Sequence, residues 1–343
     1  MPTNSPTERL LAGLSERQRE AVTHTDGPLL IVAGPGSGKT RVMAHRVAYL
    51  VGEKGIRPWK ILAVTFTNKA ARELRERCER LVGYGSDELQ VKTFHGFCSR
   101  VLRSDGEHVG LKPEFTIYDD DDQARMARRI LDDLDIDPKQ FPPRALLGAV
   151  SHAKNNMWTP AQFAERTETY REEVAARVYE AYESALLRSN AVDFDDLLLK
   201  TFMLFEGYPE VLEKYQQRYE HLLVDEFQDT NPLQFQIARL LALKNRNICV
   251  VGDPDQSIYS WRHADPANLT DFQATFKGTK IVKLDQSYRS TQIILEAADA
   301  VIGNNDDRME KELWTENSRG NRVTVAEAYN EEEEARLVLE ETA

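Results

Sequence analysis

The stretch Pro28-Leu29-Leu30-Ile31-Val32-Ala33-Gly34-Pro35-Gly36-Ser37-Gly38-Lys39-Thr40-Arg41 decides the fold. Its first half is a short apolar, β-branched run with the length of a buried strand. Its second half is a glycine-rich turn closing on Gly-Lys-Thr, and a helical pattern follows over residues 40–51. Strand, glycine-rich loop and helix in that order supply the context of the phosphate-binding pattern A/G-x-x-x-x-G-K-T, here read from Ala33, which stands where the stricter pattern has Gly. Backbone N–H groups around the glycines cradle phosphates, the helix N-terminus adds positive potential, and Lys39 reaches the β- and γ-phosphates while Thr40 ligates Mg²⁺. Ala33, Gly34, Pro35, Gly36, Ser37, Gly38, Lys39, Thr40 and Arg41 are thus the expected nucleotide contacts, with ATP and Mg²⁺ as cofactors.

Outward from this loop, short apolar runs bounded by turn residues recur at residues 28–33, 61–67, 89–94, 221–224, 247–251 and 280–284. Helical patterns such as 40–51 and 68–81 lie between several of them, so the chain reads as βαβ units feeding a parallel sheet with helices on both faces. The expected fold class is α/β. From about residue 104 to 219 the texture changes to long charged segments of helical period, for example 120–134 and 172–188, which read as an inserted, mainly helical subdomain. Residues 138–143 form a turn or loop within it, and the acidic run 119–122 marks a helix N-terminus, where carboxylates suit the dipole. After Ser287 come a helix at 291–302, a polar loop, a strand candidate at 322–326 and an acidic helix at 331–341. The expected organisation is an α/β domain with the P-loop in two parts, 1–103 and 195–286, an inserted helical subdomain at 104–194, and the start of a second domain at 287–343.

A P-loop enzyme needs carboxylates opposite its lysine. Leu222-Leu223-Val224-Asp225-Glu226 provides an apolar strand ending in two acids, which places Asp225 at the metal and leaves Glu226 to orient and deprotonate water. One acid for Mg²⁺ and one for the nucleophile is the division of labour that phosphoryl transfer requires.

With these residues in place, the chain resembles the UvrD/Rep/PcrA family of superfamily 1 DNA helicases over nearly its whole length. Leu14-Ser15-Glu16-Arg17-Gln18-Arg19-Glu20-Ala21-Val22 resembles the family's Q motif, which implies that Gln18 reads adenine; an amide is chemically apt, since it pairs with N6 and N7 together. Thr65-Phe66-Thr67-Asn68-Lys69-Ala70-Ala71 and Thr93-Phe94-His95-Gly96-Phe97-Cys98 resemble the two segments that line the single-strand groove, so Thr65, Phe66, Asn68, Thr93, Phe94 and His95 become DNA-binding candidates. Asp225-Glu226-Phe227-Gln228-Asp229-Thr230-Asn231 resembles the DExQD box. Val251-Gly252-Asp253-Pro254-Asp255-Gln256-Ser257-Ile258-Tyr259-Ser260-Trp261-Arg262 resembles motif III, which implies that Gln256 senses the γ-phosphate while Tyr259, Trp261 and Arg262 meet DNA. Family members often have Gly where this chain has His263. Leu284-Asp285-Gln286-Ser287-Tyr288-Arg289-Ser290-Thr291 resembles motif IV, implying that Tyr288 stacks on adenine and Arg289 neutralises the γ-phosphate in the manner of an arginine finger. Any one aromatic taken alone is more often core than base platform; Trp261 beside Arg262 is the best stacking candidate.

The resemblance implies a RecA-like fold and an ATP-dependent helicase that translocates 3′→5′ on single-stranded DNA, meets single-strand/double-strand junctions and works in replication or repair. It also implies that 1–103 with 195–286 is the first motor domain and that 287–343 is the start of a second motor domain. The later family motifs have no counterpart before Ala343, so the chain reads as the N-terminal portion of such an enzyme. An alternative is an ATP- and DNA-binding half-motor without unwinding activity. A helicase–nuclease subunit is less favoured, because no nuclease-type carboxylate cluster with a following Lys is apparent.

Composition agrees with a folded chain and limits its partners. The 343 residues are 41% hydrophobic and 29% charged with only 14 Pro and 18 Gly, which is globular rather than low-complexity. The formal charge of −12 argues against coating nucleic acid through bulk positive charge, so any nucleic-acid site is a local groove. The apolar stretch 28–33 falls far short of a membrane span, and the first eight residues lack a basic and apolar leader pattern. Three cysteines without CxxC spacing suggest neither a disulfide framework nor a zinc site, and fit a reducing cytosol. The chain is expected to be a monomer.

Overall fold

The computed structural model describes residues 6–83, 85–305 and 311–342. By contact density the chain divides into two units, one made of Gly38–Leu284 with the chain up to Ala33, the other of Gly34–Ser37 with the chain from Asp285 on.

The first unit begins with helices α1 (Pro6–Leu11) and α2 (Glu16–Thr23), then strand β1 (Leu29–Ala33), α3 (Lys39–Gly52), β2 (Ile61–Thr65), α4 (Asn68–Val82), β3 (Gln90–Thr93) and α5 (Phe94–Asp105). A mainly helical stretch follows: β4 (Thr116–Ile117), α6 (Asp120–Asp133), α7 (Pro143–Asn155), α8 (Pro160–Ala164), α9 (Tyr170–Arg188), β5 (Ala191–Val192), α10 (Phe194–Gly207) and α11 (Pro209–Arg218). The chain then returns to the sheet through β6 (His221–Val224), α12 (Pro232–Ala242), β7 (Ile248–Gly252), α13 (Asn268–Thr275) and β8 (Lys280–Leu284). Six of the strands form one parallel sheet in the order β3-β2-β6-β7-β1-β8, with Leu30 opposite Val250 and Ala63 opposite Leu223.

Strands β1, β2, β6 and β7 are buried along their whole length, which is why they read as unbroken apolar runs rather than as alternating ones. On one face Leu29, Ile31, Ala63, Leu223 and Val251 pack with Val42, Val47 and Leu50 of α3 and with Leu74 and Cys78 of α4. The helical stretch has its own core, in which Leu131, Val150, Val178, Tyr179, Tyr182 and Leu186 meet. The acidic run is a helix start: Asp119 accepts the N–H groups of Asp121 and Asp122 at the head of α6.

Two strands stop earlier than their apolar patterns. The run expected to reach residue 67 ends at Thr65, because Thr67 leaves the sheet and its Oγ1 accepts the Ala70 N–H at 3.1 Å as the cap of α4. The run expected to reach residue 94 ends at Thr93, which caps α5 in the same way through the Gly96 N–H at 3.1 Å. The paired β4 and β5 were not legible, since two residues carry no periodicity.

In the second unit, α14 (Gln292–Ile302) and α15 (Glu331–Thr342) flank an irregular segment. Ser287 N–H donates to Trp314 O at 2.8 Å and Ile293 N–H to Arg319 O at 3.1 Å. The strand expected at 322–326 does not form: Val323 and Val325 are exposed, and no ladder partner lies beside them among the described residues. Part of the polar loop expected before it, residues 306–310, lies outside the described residues.

Candidate nucleotide and nucleic-acid site

Parallel strands deliver their C-terminal ends to one edge of the sheet, where ligand-binding loops of α/β proteins gather. In the first unit this edge carries Lys39 after β1, Asp225 and Glu226 after β6, and Asp253 and Gln256 after β7. Lys39, Glu226, Asp253 and Gln256, joined by Gln228, form a closed ring of polar contacts. Lys39 Nζ lies 3.0 Å from Glu226 Oε2 and donates to Gln256 Oε1 at 3.3 Å. Gln256 Nε2 donates to Asp253 Oδ2 at 2.5 Å, and the Asp253 N–H donates to Gln228 Oε1 at 3.0 Å. Gln228 Nε2 closes the ring on Glu226 Oε2 at 2.9 Å. Gly252 makes room for this: a Cβ there would stand 2.8 Å from Gln228 Oε1.

Asp225 is 4% exposed, and burial together with the neighbouring Glu226 pushes its carboxyl up to about 7, against the opposing pull of Lys39. Burial and Glu226 also raise Asp229, to about 6. Glu226 itself sits in the left-handed region at φ 48°, which turns the chain sharply at the strand end. Gln18 is buried at the head of α2, where its Oε1 accepts the Ser15 N–H at 3.1 Å in a reciprocal capping box. A Cβ on Gly38 (φ 88°) would come within 3.1 Å of Gln18 Nε2, so the Q-motif amide lies against the start of α3. Thr40 is half-buried in the first turn of that helix, and exposed Arg41 donates to Gly13 O at 3.2 Å.

Within the second unit, Gly34–Ser37 is held by the motif IV segment. Tyr288 N–H donates to Gly36 O at 3.0 Å, and a Cβ on Gly36 (φ 74°) would fall 2.6 Å from Ser287 Oγ and 2.7 Å from Arg289 Cβ. Ser37 Oγ donates to Gly34 O at 2.7 Å, tightening the turn. The rings of Tyr288 and the side chain of Arg289 are exposed.

A groove of about 610 Å³ runs beside the ring in the first unit. Thr65, Phe66, Asn68, Thr93, Phe94, His95 and Trp261 all line it. Phe66 packs against Tyr259 with ring centroids 4.5 Å apart and the ring planes tilted by 35°, and the Tyr259 ring lies 6.1 Å from that of Trp261. Trp261 is 68% exposed, whereas Phe94 is 4% exposed and anchors the first turn of α5. The side chain of Arg262 lies outside the described residues. Tyr259 and Gln256 are three residues apart, so one short segment belongs to both the ring and the aromatic row.

Residues 14–277 match the family model described as the UvrD/REP helicase N-terminal domain, and residues 282–343 match the UvrD-like helicase C-terminal domain. The chain belongs to the UvrD/REP helicase family. It is similar to proteins named ATP-dependent DNA helicase PcrA: 48% identical over 333 residues to that of Leuconostoc citreum, covering 97% of this chain and 44% of the relative. To that of Bacillus subtilis (strain 168) it is 47% identical over 335 residues, covering 98% and 45%, and to that of Staphylococcus aureus (strain Mu50 / ATCC 700699) 47% identical over 332 residues, covering 97% and 46%. The chain therefore spans under half the length of these UvrD/REP relatives.

The geometry adds groove residues that the sequence did not single out. Asp120, Ser151, Asn155, Phe194 and Asp195 come from the helical stretch and form the wall opposite the motif loops. Asn231, the cap of α12 just after the DExQD box, donates from Nδ2 to Asn155 Oδ1 at 2.5 Å, and Asn155 Nδ2 donates to Asp195 Oδ1 at 3.0 Å. The available signal was the pair of capping boxes, Asp193 with Asp196 and Asn231 with Gln234, which fix helix starts that face one another. His263 keeps the left-handed backbone (φ 62°) suited to the family's Gly, and its ring lies 5.7 Å from that of His152.

Proposed function

We propose that this chain carries the ATP-hydrolysing and strand-gripping part of an ATP-dependent DNA helicase that moves 3′→5′ on single-stranded DNA and opens duplexes in replication or repair. The observation that carries the reading is the ring joining Lys39 and Glu226 to Gln256, three residues before the aromatic row of the groove. Lys39 holds the β/γ-phosphates, Gln18 and Tyr288 hold adenine, and Arg289 offsets charge at the γ-phosphate. Entry of a phosphate at Lys39 competes with Glu226 and Gln256 for the ammonium. Glu226, so released, is free to take a proton from the attacking water, and Gln256 passes the change along motif III to Tyr259 and Trp261.

The residues fit a nucleotide with its metal. Gly36 and Gly38 hold the positive-φ conformations of a glycine-rich phosphate loop, and Asp225 is a buried carboxyl that burial pushes up to about 7, so a cation beside it would favour its charged form. Asp225 and Thr40 would hold Mg²⁺, which would supply charge neutralisation at the phosphates. Trp261, Phe66 and Tyr259 supply base-stacking surfaces, and Thr65, Asn68, Thr93 and His95 supply polar contacts that do not depend on sequence. No helix among the described residues is long and apolar enough to cross a membrane, and a monomer in the cytoplasm agrees with the proposed role.

The test is steady-state ATP hydrolysis by the purified chain with and without single-stranded DNA, with Glu226→Gln as background. DNA-stimulated turnover above that background supports the reading, and its absence with ATP binding retained supports the second one, an ATP- and DNA-binding half-motor. Absence of both binding and turnover removes both.

A further inference from the structure

A second cavity, of about 310 Å³, opens at the edge strand of the sheet, between the first turns of α4 and the end of β3. Three cations line it, Arg72 and Arg75 from α4 and Lys92 from β3, and no carboxylate does. Arg75 is fixed there, since its Nη2 donates to Val91 O at 2.7 Å and so ties the helix to the edge strand. Burial, and then the like charges of Arg100 and Arg75, hold the Lys92 ammonium below the usual lysine range. Like charges gathered in a concave site of an otherwise acidic chain are a cost to the folded protein unless an anion offsets them. Asn68 and Thr93 line both this cavity and the groove, so the two are neighbours that share a wall.

We infer that the Arg72–Arg75–Lys92 cavity is a phosphate subsite that holds the backbone of the single strand where it leaves the groove past Asn68 and Thr93. The inference rests on the groove being the single-strand site. Two arginine forks and an ammonium suit a phosphodiester, which is read without regard to base. The subsite extends the footprint of the strand beyond the aromatic row and adds an electrostatic hold that does not depend on stacking.

The experiment is fluorescence-anisotropy titration of the whole chain with deoxythymidine oligonucleotides of increasing length over a range of salt, beside the double variant Arg72→Gln/Lys92→Gln. Arg75 is left in place because it ties α4 to β3. Strands short enough to stay in the groove should bind both proteins equally. With longer strands the unaltered chain should gain affinity that the variant lacks, and the variant's slope of log affinity against log salt should be shallower by ~0.7, the value for one phosphate on a single strand. Restoring charge with Arg72→Lys and native Lys92 should recover most of the gain. Equal weakening at every length, or no change at any length, overturns the subsite while leaving the groove reading intact. Binding of inorganic phosphate that the variant loses, with no length effect on DNA, assigns the pocket to a free anion and also overturns it. If no oligonucleotide binds the unaltered chain at low salt, the groove reading itself fails and takes this inference with it.

Discussion

Lys39 and Glu226 are in direct contact, Nζ to Oε2 at 3.0 Å, so the phosphate-loop lysine is held by the acid that is proposed to activate water. The pair links the end of β1 to the end of β6 across β7, and Gln256 at 3.3 Å brings β7 into the same contact. Lys39→Ala removes the cation and should abolish hydrolysis. Glu226→Gln keeps the side chain's size and its hydrogen bond to Gln228 while removing the base, so ATP should still bind while turnover falls by ~10²–10⁴. Nucleotide affinity and steady-state hydrolysis measured side by side separate the two variants; normal turnover in either removes these residues from the site.

Trp261 and Phe94 should respond in opposite ways to truncation. Trp261→Ala, at an exposed ring, should leave the melting temperature unchanged and weaken single-strand binding by ~1–3 kcal/mol. Phe94→Ala, at a buried ring, should cost ~3–5 kcal/mol of folding stability. A melting curve and a DNA titration on each protein are enough, and a folding loss in Trp261→Ala would mark it as a core residue.

That contrast shows which features the sequence carries. The four inner strands β1, β2, β6 and β7 and the loop at Gly34–Thr40 were legible because a doubly covered parallel strand must be apolar throughout and a phosphate loop must be glycine-rich, whereas β3 and β8, partly exposed, were legible only as short runs bounded by turn residues. The burial of Phe94 was not, because the run 89–94 reads as strand to its end, while the Thr93 side chain turns the chain into α5 one residue earlier. The wall formed by Asn155, Phe194 and Asp195 was hidden for another reason. It depends on how the helical stretch packs against α12, a long-range contact that no local pattern encodes. The strand expected at 322–326 failed on the same ground, since an apolar alternation becomes a strand only beside a partner.

Acid should weaken the fold through His221. This residue is buried in β6, and burial followed by the nearby Arg46 lowers its imidazole from the ordinary 6.5 to about 4. The folded chain therefore binds fewer protons than the unfolded one between these values. Stability contributed by the neutral ring is present above pH 6.5 and is lost as pH falls toward 4, by on the order of 3 kcal/mol. Urea unfolding at pH 7 and near pH 4.5 should show a smaller difference in His221→Gln than in the unaltered chain. Parallel pH dependence in the two would remove His221 as a cause.

The buried cluster around Lys154 should be the most sensitive point of the helical stretch. Lys154 Nζ lies 2.8 Å from Asp193 Oδ2, 2.8 Å from Asp196 Oδ1 and 2.7 Å from Glu183 Oε1, so it ties α7 to α9 and to the head of α10. Burial disfavours its charge, but the three carboxylates outweigh this and raise the ammonium well above the usual lysine range. Lys154→Met keeps the volume and strands Asp193, while Lys200 stays 3.2 Å from Glu183 and 3.9 Å from Asp196. The loss should cost ~3–5 kcal/mol, because an uncompensated buried charge is worse than an apolar replacement of the whole pair. Adding Asp193→Asn to Lys154→Met should recover part of that loss, since one stranded charge is removed. The neighbouring Asn155 contacts Asn231 beside the DExQD box, so any shift of α7 reaches the groove wall. Lys154→Met should accordingly weaken single-strand binding more than ATP binding, and a thermal melt with both titrations checks this. Unchanged stability would show that the cluster contributes no net electrostatic support.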